Sequence, residues 1–165
     1  MKQYLIPESG RFYKGNLHMH TTVSDGHMTP EEVKAEYKKR GYSVLAFTDH
    51  EIIVKHHDLD DKDFLTITAA EFSCTESNPH GSKKAKTYHF NVFSKGPDKD
   101  LISIFTPAMV RRESTKPYIT EAMLQYDYKK TYSVECMNDM IARANAEGFL
   151  VQYNHPVWSL QDYSG

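Results

Sequence analysis

Apolar and polar positions alternate along this chain in two periods. Residues 42–47 are almost continuously apolar, as a parallel strand covered on both faces is. Residues 88–93 alternate in steps of two, as a half-buried strand does. Residues 11–20, 64–71 and 149–153 carry further strand-type runs, each ending in a polar cluster. Residues 2–6 predict a short edge strand that Pro7 ends. Two stretches have the helical period instead. The first opens on Thr29-Pro30-Glu31-Glu32, where Thr29 predicts the N-cap, Pro30 the first turn and Glu32 the return arm of a capping box. It runs to Arg40, with Lys38, Lys39 and Arg40 at the negative end of the dipole and Gly41 as the stop. Val33 and Tyr37 mark its buried face. The second covers residues 133–147, with Val134, Met137, Ile141 and Ala144 on one face and Gly148 after it. Strand, helix and strand in turn predict an α/β fold.

Between these elements the pattern weakens. Residues 51–63, with His56, His57 and several aspartates, read as a solvated loop or short helix. Residues 75–86 are polar and predict a loop. In it Lys83, Lys84 and Lys86 suit either a solvated hairpin tip or contact with a phosphate. Residues 101–105 suggest a helix, and Pro107 and Pro117 interrupt the stretch after it. A connection as long as 95–130 is often a lid or insertion over a site. Within it, Arg111 and Arg112 are either ordinary exposed arginines or a clamp for an anionic substrate.

The polar ends of the strands carry the candidate chemistry. His18 and His20 stand one residue apart, so on a strand both point to one face. Asp25 follows in a Ser-Asp-Gly turn. His50 ends the run 42–47, Glu71 the run 64–71 and His155 the run 149–153, while His89 lies inside 88–93. Trp158, just after His155, is expected near the mouth of a pocket formed by these groups. Imidazole and carboxylate together suit zinc, iron or manganese. Each position has a plainer reading: a chance His-x-His, a histidine capping a carbonyl at 50, a salt-bridged Glu71. Their recurrence on one side of one sheet is harder to ascribe to packing, because a carboxylate at the end of an apolar strand is costly unless paired or metal-bound.

Composition narrows the classes. The 165 residues suffice for one domain, 1–165, with one core. A formal net charge of −2 gives no global electrostatic case for nucleic acid or an anionic membrane. No run is long enough for a membrane span and no signal peptide is evident, so the expectation is a cytoplasmic protein. Cys74 and Cys136 form no CxxC, consistent with reduced thiols.

With these residues in view, the sequence resembles the PHP family, named for polymerase and histidinol phosphatase, and within it the carbaryl-hydrolase-like branch of metallohydrolases. The pieces that match are residues 14–26 (Lys14 through Gly26), Gly41-Tyr42 through Thr48-Asp49-His50, Ala70-Glu71-Phe72, His89-Phe90-Asn91 and Asn154-His155-Pro156, in that order. The resemblance implies a distorted TIM-like (β/α)7 barrel. It implies two or three divalent ions (Zn2+, Mn2+ or Fe2+) at the strand ends. His18, His20 and Glu71 would hold the first, and Glu71, His89 and His155 the second. Asp25 and His50 would hold a third or support the others. Family members carry a later Asp-x-His motif that this sequence lacks up to Gly165, so the resemblance also implies an incomplete barrel, to which another chain would add strands. The implied activity is hydrolysis of a small phosphoester by a metal-bridging hydroxide, with Glu71, His50 and Asp25 in catalytic roles. The alternatives are an amide or carbamate hydrolase and a metal-binding accessory module. A nuclease is the weaker idea, and an oligomer is compatible with the reading.

Overall fold

A computed structural model describes residues 9–77, 85–96 and 99–159. Residues 2–6, Lys83 and Lys84 lie outside them. Five strands form one sheet in the order of the chain: β1 (Gly15–Asn16), β2 (Val44–Phe47), β3 (Leu65–Thr75), β4 (Thr87–Ser94) and β5 (Phe149–Tyr153). β1, β2 and the first part of β3 run parallel, whereas β4 is antiparallel to both of its neighbours, β3 and β5. The sheet curls into half a barrel of mixed direction. β3 is the spine: residues 65–68 pair with β2, and residues 69–75 pair with β4.

The helix α1 (Pro30–Lys39) forms where its local signals place it. Thr29 Oγ1 accepts from Glu32 N at 3.2 Å, and the Glu32 carboxylate accepts from Thr29 N at 2.9 Å. Arg40 is the C-cap, and Gly41 takes the positive φ of 79° that terminates such a helix. Val33 packs with Met19, Leu45, Phe47, Leu59 and Phe64, and Tyr37 joins them.

The helix α2 (Val134–Ala146) has Ser133 as its N-cap, and Gly148 beyond it has φ 89°. Its buried face is Cys136, Met137, Met140 and Ala144, with Ile141 packed against the same core; of the expected stripe only Val134, 58% exposed, lies off it. Met140, wholly buried, joins the core. The main core lies between this face and Phe72, Phe90, Val92 and Phe149.

Other expectations are corrected. Of residues 11–20 only Gly15–Asn16 is strand, and Phe12 is 93% exposed. The chain stays close to β2 past that point without a ladder, through Met19 N donating to Thr48 Oγ1 and Thr48 N to Met19 O. Residues 101–105 form no helix. Ile102, Ile104 and Phe105 are all buried, and a turn closed by Phe105 N on Ile102 O serves that burial better than a one-sided helix. His56 is 8% exposed and packs on Phe47, so it is not solvated. The loop around it contains the 3-10 turn His57–Leu59, whose Leu59 enters the core.

In the connection after β4, Val110 and Met123 join the core, and Thr115 Oγ1 donates to Val23 O. No helix among the described residues is long and apolar enough to cross a membrane.

Candidate metal centre

Strand direction brings the histidines to one end of the sheet. His18 and His20 follow β1, His50 follows β2 and His155 follows β5. His89 lies near the start of β4, which runs the other way and so begins where the parallel strands end. Glu71 sits within β3, locked beside His50 by Glu51 N donating to Glu71 O at 2.8 Å and Glu71 N to Asp49 O at 3.2 Å.

All seven candidate residues come together around a cavity of about 350 Å3, with Trp158 at its edge. Glu71 is its centre and is 1% exposed. Its Oε1 lies 3.4 Å from His18 Nε2, 3.2 Å from His89 Nδ1 and 3.1 Å from His155 Nε2. Its Oε2 lies 3.3 Å from His20 Nε2 and 3.3 Å from His50 Nδ1. Asp25 stands on the far side of the second pair, 3.7 Å from His20 Nδ1 and 3.5 Å from His50 Nε2. Two three-residue groups result, each compact enough to hold a cation: His18, Glu71 and His155, and His20, His50 and Glu71. This partition puts His18 and His20, joined in the sets implied by resemblance, on different oxygens, and leaves His89 and His155 on the same one.

The electrostatics are those of a buried carboxylate in a cage of imidazoles. Burial alone would raise the pKa of Glu71. The close imidazoles of His18, His20 and His89 and the hydrogen bond from Asn154 outweigh it and hold the carboxyl well below its usual range. His20 and His50 stack 4.3 Å apart and shift in opposite directions. For His20, burial opposes charge but is overcome by Glu71, Asp25 and Asp49, so its pKa rises. For His50, burial and then the neighbouring His20 push the pKa down. His20 Nδ1 and His89 Nδ1 are buried without a well-directed hydrogen bond. Buried nitrogen lone pairs facing a carboxylate, with oxygen and imidazole donors only, fit a divalent transition ion.

Two supporting residues were not singled out from sequence. Asp49, 2% exposed, accepts from Thr21 N, Thr21 Oγ1, Ser24 N and Ser24 Oγ at 2.7–3.1 Å and so fixes the loop from His20 to Asp25. Asn154 donates to Glu71 Oε1 at 2.8 Å. Trp158, 70% exposed, lies with its ring 5.2 Å from that of His155 and 5.5 Å from that of His89. His57 turns away from the centre, toward Asp60, Thr66 and Thr68.

Comparison with known proteins gives a family and a set of distant folds. The PHP domain model matches residues 16–150. No curated protein matches the chain. Among solved structures, an amidohydrolase from Chromobacterium violaceum with bound sulfate and no metal is 21% identical, with 52% of this chain covering 29% of that one at a TM-score of 0.35. A candidate metal-dependent phosphoesterase from Bifidobacterium adolescentis is 16% identical (89% of this chain, 68% of that one, TM-score 0.49). A two-domain protein from Bacteroides vulgatus, containing a predicted PHP-like metal-dependent phosphoesterase, is 20% identical (93% and 38%, TM-score 0.47). The chain thus spans under a third of the first of these proteins and well under half of the last.

Proposed function

The chain belongs to the PHP domain family, and from that premise we propose that it is a metal-dependent hydrolase, with a phosphoester as its substrate class. The observation that carries the proposal is the division of Glu71. One carboxylate oxygen faces His18 and His155, the other faces His20 and His50, and the residue is almost wholly buried. A carboxylate so placed serves two cation sites at once, and His89 adds a third imidazole on the Oε1 side. Asp25, beyond His20 and His50, would complete the second site or support a third. Zn2+, Mn2+ and Fe2+ all suit this donor set.

Ions bound there would lower the pKa of water and offset the charge developing on an attacked phosphorus. The chain's own residues do the rest. Glu71, negative across the working pH range, fixes the spacing of the two sites. Asn154 holds its Oε1 in place. Where no third ion lies between them, His50 Nε2 or Asp25, 3.5 Å apart, is the group we assign to carry a proton toward the leaving group. Trp158 walls the pocket beside His89 and His155 and limits the water there.

Glu71→Gln tests the reading. The variant should lose bound metal, by elemental analysis, together with hydrolysis of 4-nitrophenyl phosphate. Retention of both would end the bridging role. Hydrolysis of an amide or carbamate panel instead of phosphoesters would move the chain to the carbaryl-hydrolase-like branch. Two ions per chain without any turnover would make it an accessory metal-binding module.

A further inference from the structure

A second cleft, of about 240 Å3, adjoins the metal pocket and shares His50 and His89 with it. It continues along β3. Glu71, Ser73 and Thr75 are two residues apart and point to the same face of the strand. At about 3.3 Å of rise per residue, Ser73 lies roughly 7 Å beyond Glu71. Met109 and Arg111 also line the cleft.

The charge in the cleft is one-sided. Among the described residues that line it the one carboxylate, Glu51, is already satisfied by the Lys130 ammonium and by Ser73 N and Oγ. Arg111 has no ion pair or hydrogen bond to any described residue. Its backbone is nonetheless held in place. Val110 before it is buried in the core, and Thr115 after it is buried with its hydroxyl on Val23 O. Arg112 lines no part of this cleft. Arg111 is exposed where it lines the cleft, and an uncompensated guanidinium beside a metal pocket suits an oxyanion.

We propose that Arg111 receives a second anionic group of the substrate, carried on the part that extends from the metal pocket into this cleft. The inference rests on the phosphoesterase reading and adds a substrate class to it: phosphoesters whose remainder ends in a carboxylate or phosphate. Ser73 and Thr75 line the floor between the two charges.

Binding tests this without turnover. Benzylphosphonate and 4-carboxybenzylphosphonate, neither of which can be hydrolysed, are titrated calorimetrically into Mn2+-loaded protein. The rigid ring holds the para-carboxylate well clear of the phosphonate. The wild type should bind the carboxylated probe about tenfold or more tighter, the size of a charge-assisted pair. Arg111→Met should erase that preference, leave benzylphosphonate binding unchanged and leave the unfolding midpoint where it was. Arg112→Met should change nothing. Equal binding of the two probes by the wild type, or equal losses for both in Arg111→Met, overturns the inference and leaves the phosphoesterase reading standing. Failure of the wild type to bind either phosphonate removes that reading, and the role of Arg111 with it.

Discussion

Asn154 Nδ2 donates to Glu71 Oε1 and to Asn91 Oδ1, both at 2.8 Å. Asn154 is 2% exposed, and its own N–H is bound to His89 O at 2.9 Å. Asn91 in turn donates to Leu17 O at 3.1 Å, one residue before His18. A single buried chain of amides thus connects the segments that carry His18, Glu71, His89 and His155. Asn154→Ala would leave Asn91 Oδ1 without its Asn154 partner and Glu71 Oε1 without its one amide donor. We expect a loss of about 1–3 kcal/mol in urea unfolding of the metal-free protein. Metal affinity should fall about 10–100-fold, as it does when a ligand's outer hydrogen bond is removed. Unchanged affinity in a metal titration would mean that Glu71 is held by the histidines alone.

Gly26 closes the turn that carries Asp25. Its N–H donates to Thr21 O at 2.8 Å. A Cβ on Gly26 would stand 2.2 Å from His20 O and 2.5 Å from His20 C. Both are backbone atoms, so no side-chain rotation relieves the clash. Gly26→Ala must therefore push His20 and Thr21 away from Asp49, at a cost of about 1–3 kcal/mol or more. The variant should still fold but lose the cation shared by His20, His50 and Glu71 first. Metal stoichiometry read against the wild type is the check.

What the sequence shows of this protein and what it hides divides along physical lines. The capping box of Thr29 and Glu32 and the stops at Gly41 and Gly148 depend on a few adjacent residues, so they are readable locally. His18, His20, His50, Glu71, His89 and His155 stand out because such groups are rarely left at strand ends without a partner. Which Glu71 oxygen meets which imidazole is not local. It depends on the curl of the sheet, where β3 leaves its parallel partner at Thr68 and takes up an antiparallel one at Ala69. The same holds for the thiols, which look unrelated in sequence. In the fold Cys74 Sγ donates to Thr131 O at 2.7 Å, and Thr131 N donates to Cys136 Sγ at 3.3 Å. Asp49, between a threonine and a histidine, gave no signal of its own. Its four hydrogen bonds exist only because the loop after β1 folds over the end of β2.

Asp61 ties α1 to the loop before β3, by ion pairs with Lys34 at 2.8 Å and Lys38 at 2.7 Å. Hydrogen bonds from those two ammonium groups and from Asp63 N hold its carboxyl far below the ordinary aspartate range. A depressed folded pKa means that the unfolded chain takes up the proton first. The stabilisation is therefore complete above the unfolded pKa of about 4 and declines as pH falls below it. The group is at the surface, so the effect is small and sensitive to salt. Asp61→Asn should lower the unfolding midpoint at pH 7. The gap to the wild type should narrow steadily from pH 4 downward, and at pH 7 it should shrink in 1 M salt. A gap independent of pH would assign the role of Asp61 to its neutral hydrogen bonds.

Glu51 follows His50 and has a φ of 65°, the left-handed region, without being glycine. Such a conformation costs about 1–3 kcal/mol and persists only where its surroundings hold it. Here four contacts do so. Its N–H donates to Glu71 O at 2.8 Å, its Oε1 accepts from Ser73 N at 2.9 Å and Ser73 Oγ at 2.6 Å, and its Oε2 meets the Lys130 ammonium. Both charged side chains are 6% exposed, and Lys130 Nζ also lies 5.0 Å from the centre of the Phe72 ring. Glu51→Gln keeps the shape but leaves Lys130 a buried charge without its counterion, a loss of about 3–5 kcal/mol. Replacing both, as Glu51→Gln with Lys130→Met, removes the uncompensated charge and should recover most of that loss. The expected order in urea unfolding is wild type, double variant, single variant. Because Glu51 sets the backbone from which His50 projects, Glu51→Gln should also weaken metal binding at the His20 and His50 side while sparing the His18 and His155 side. If the single variant unfolds with the wild type's midpoint, the ion pair is not what holds this backbone, and the placement of His50 must come from the β3 contacts alone.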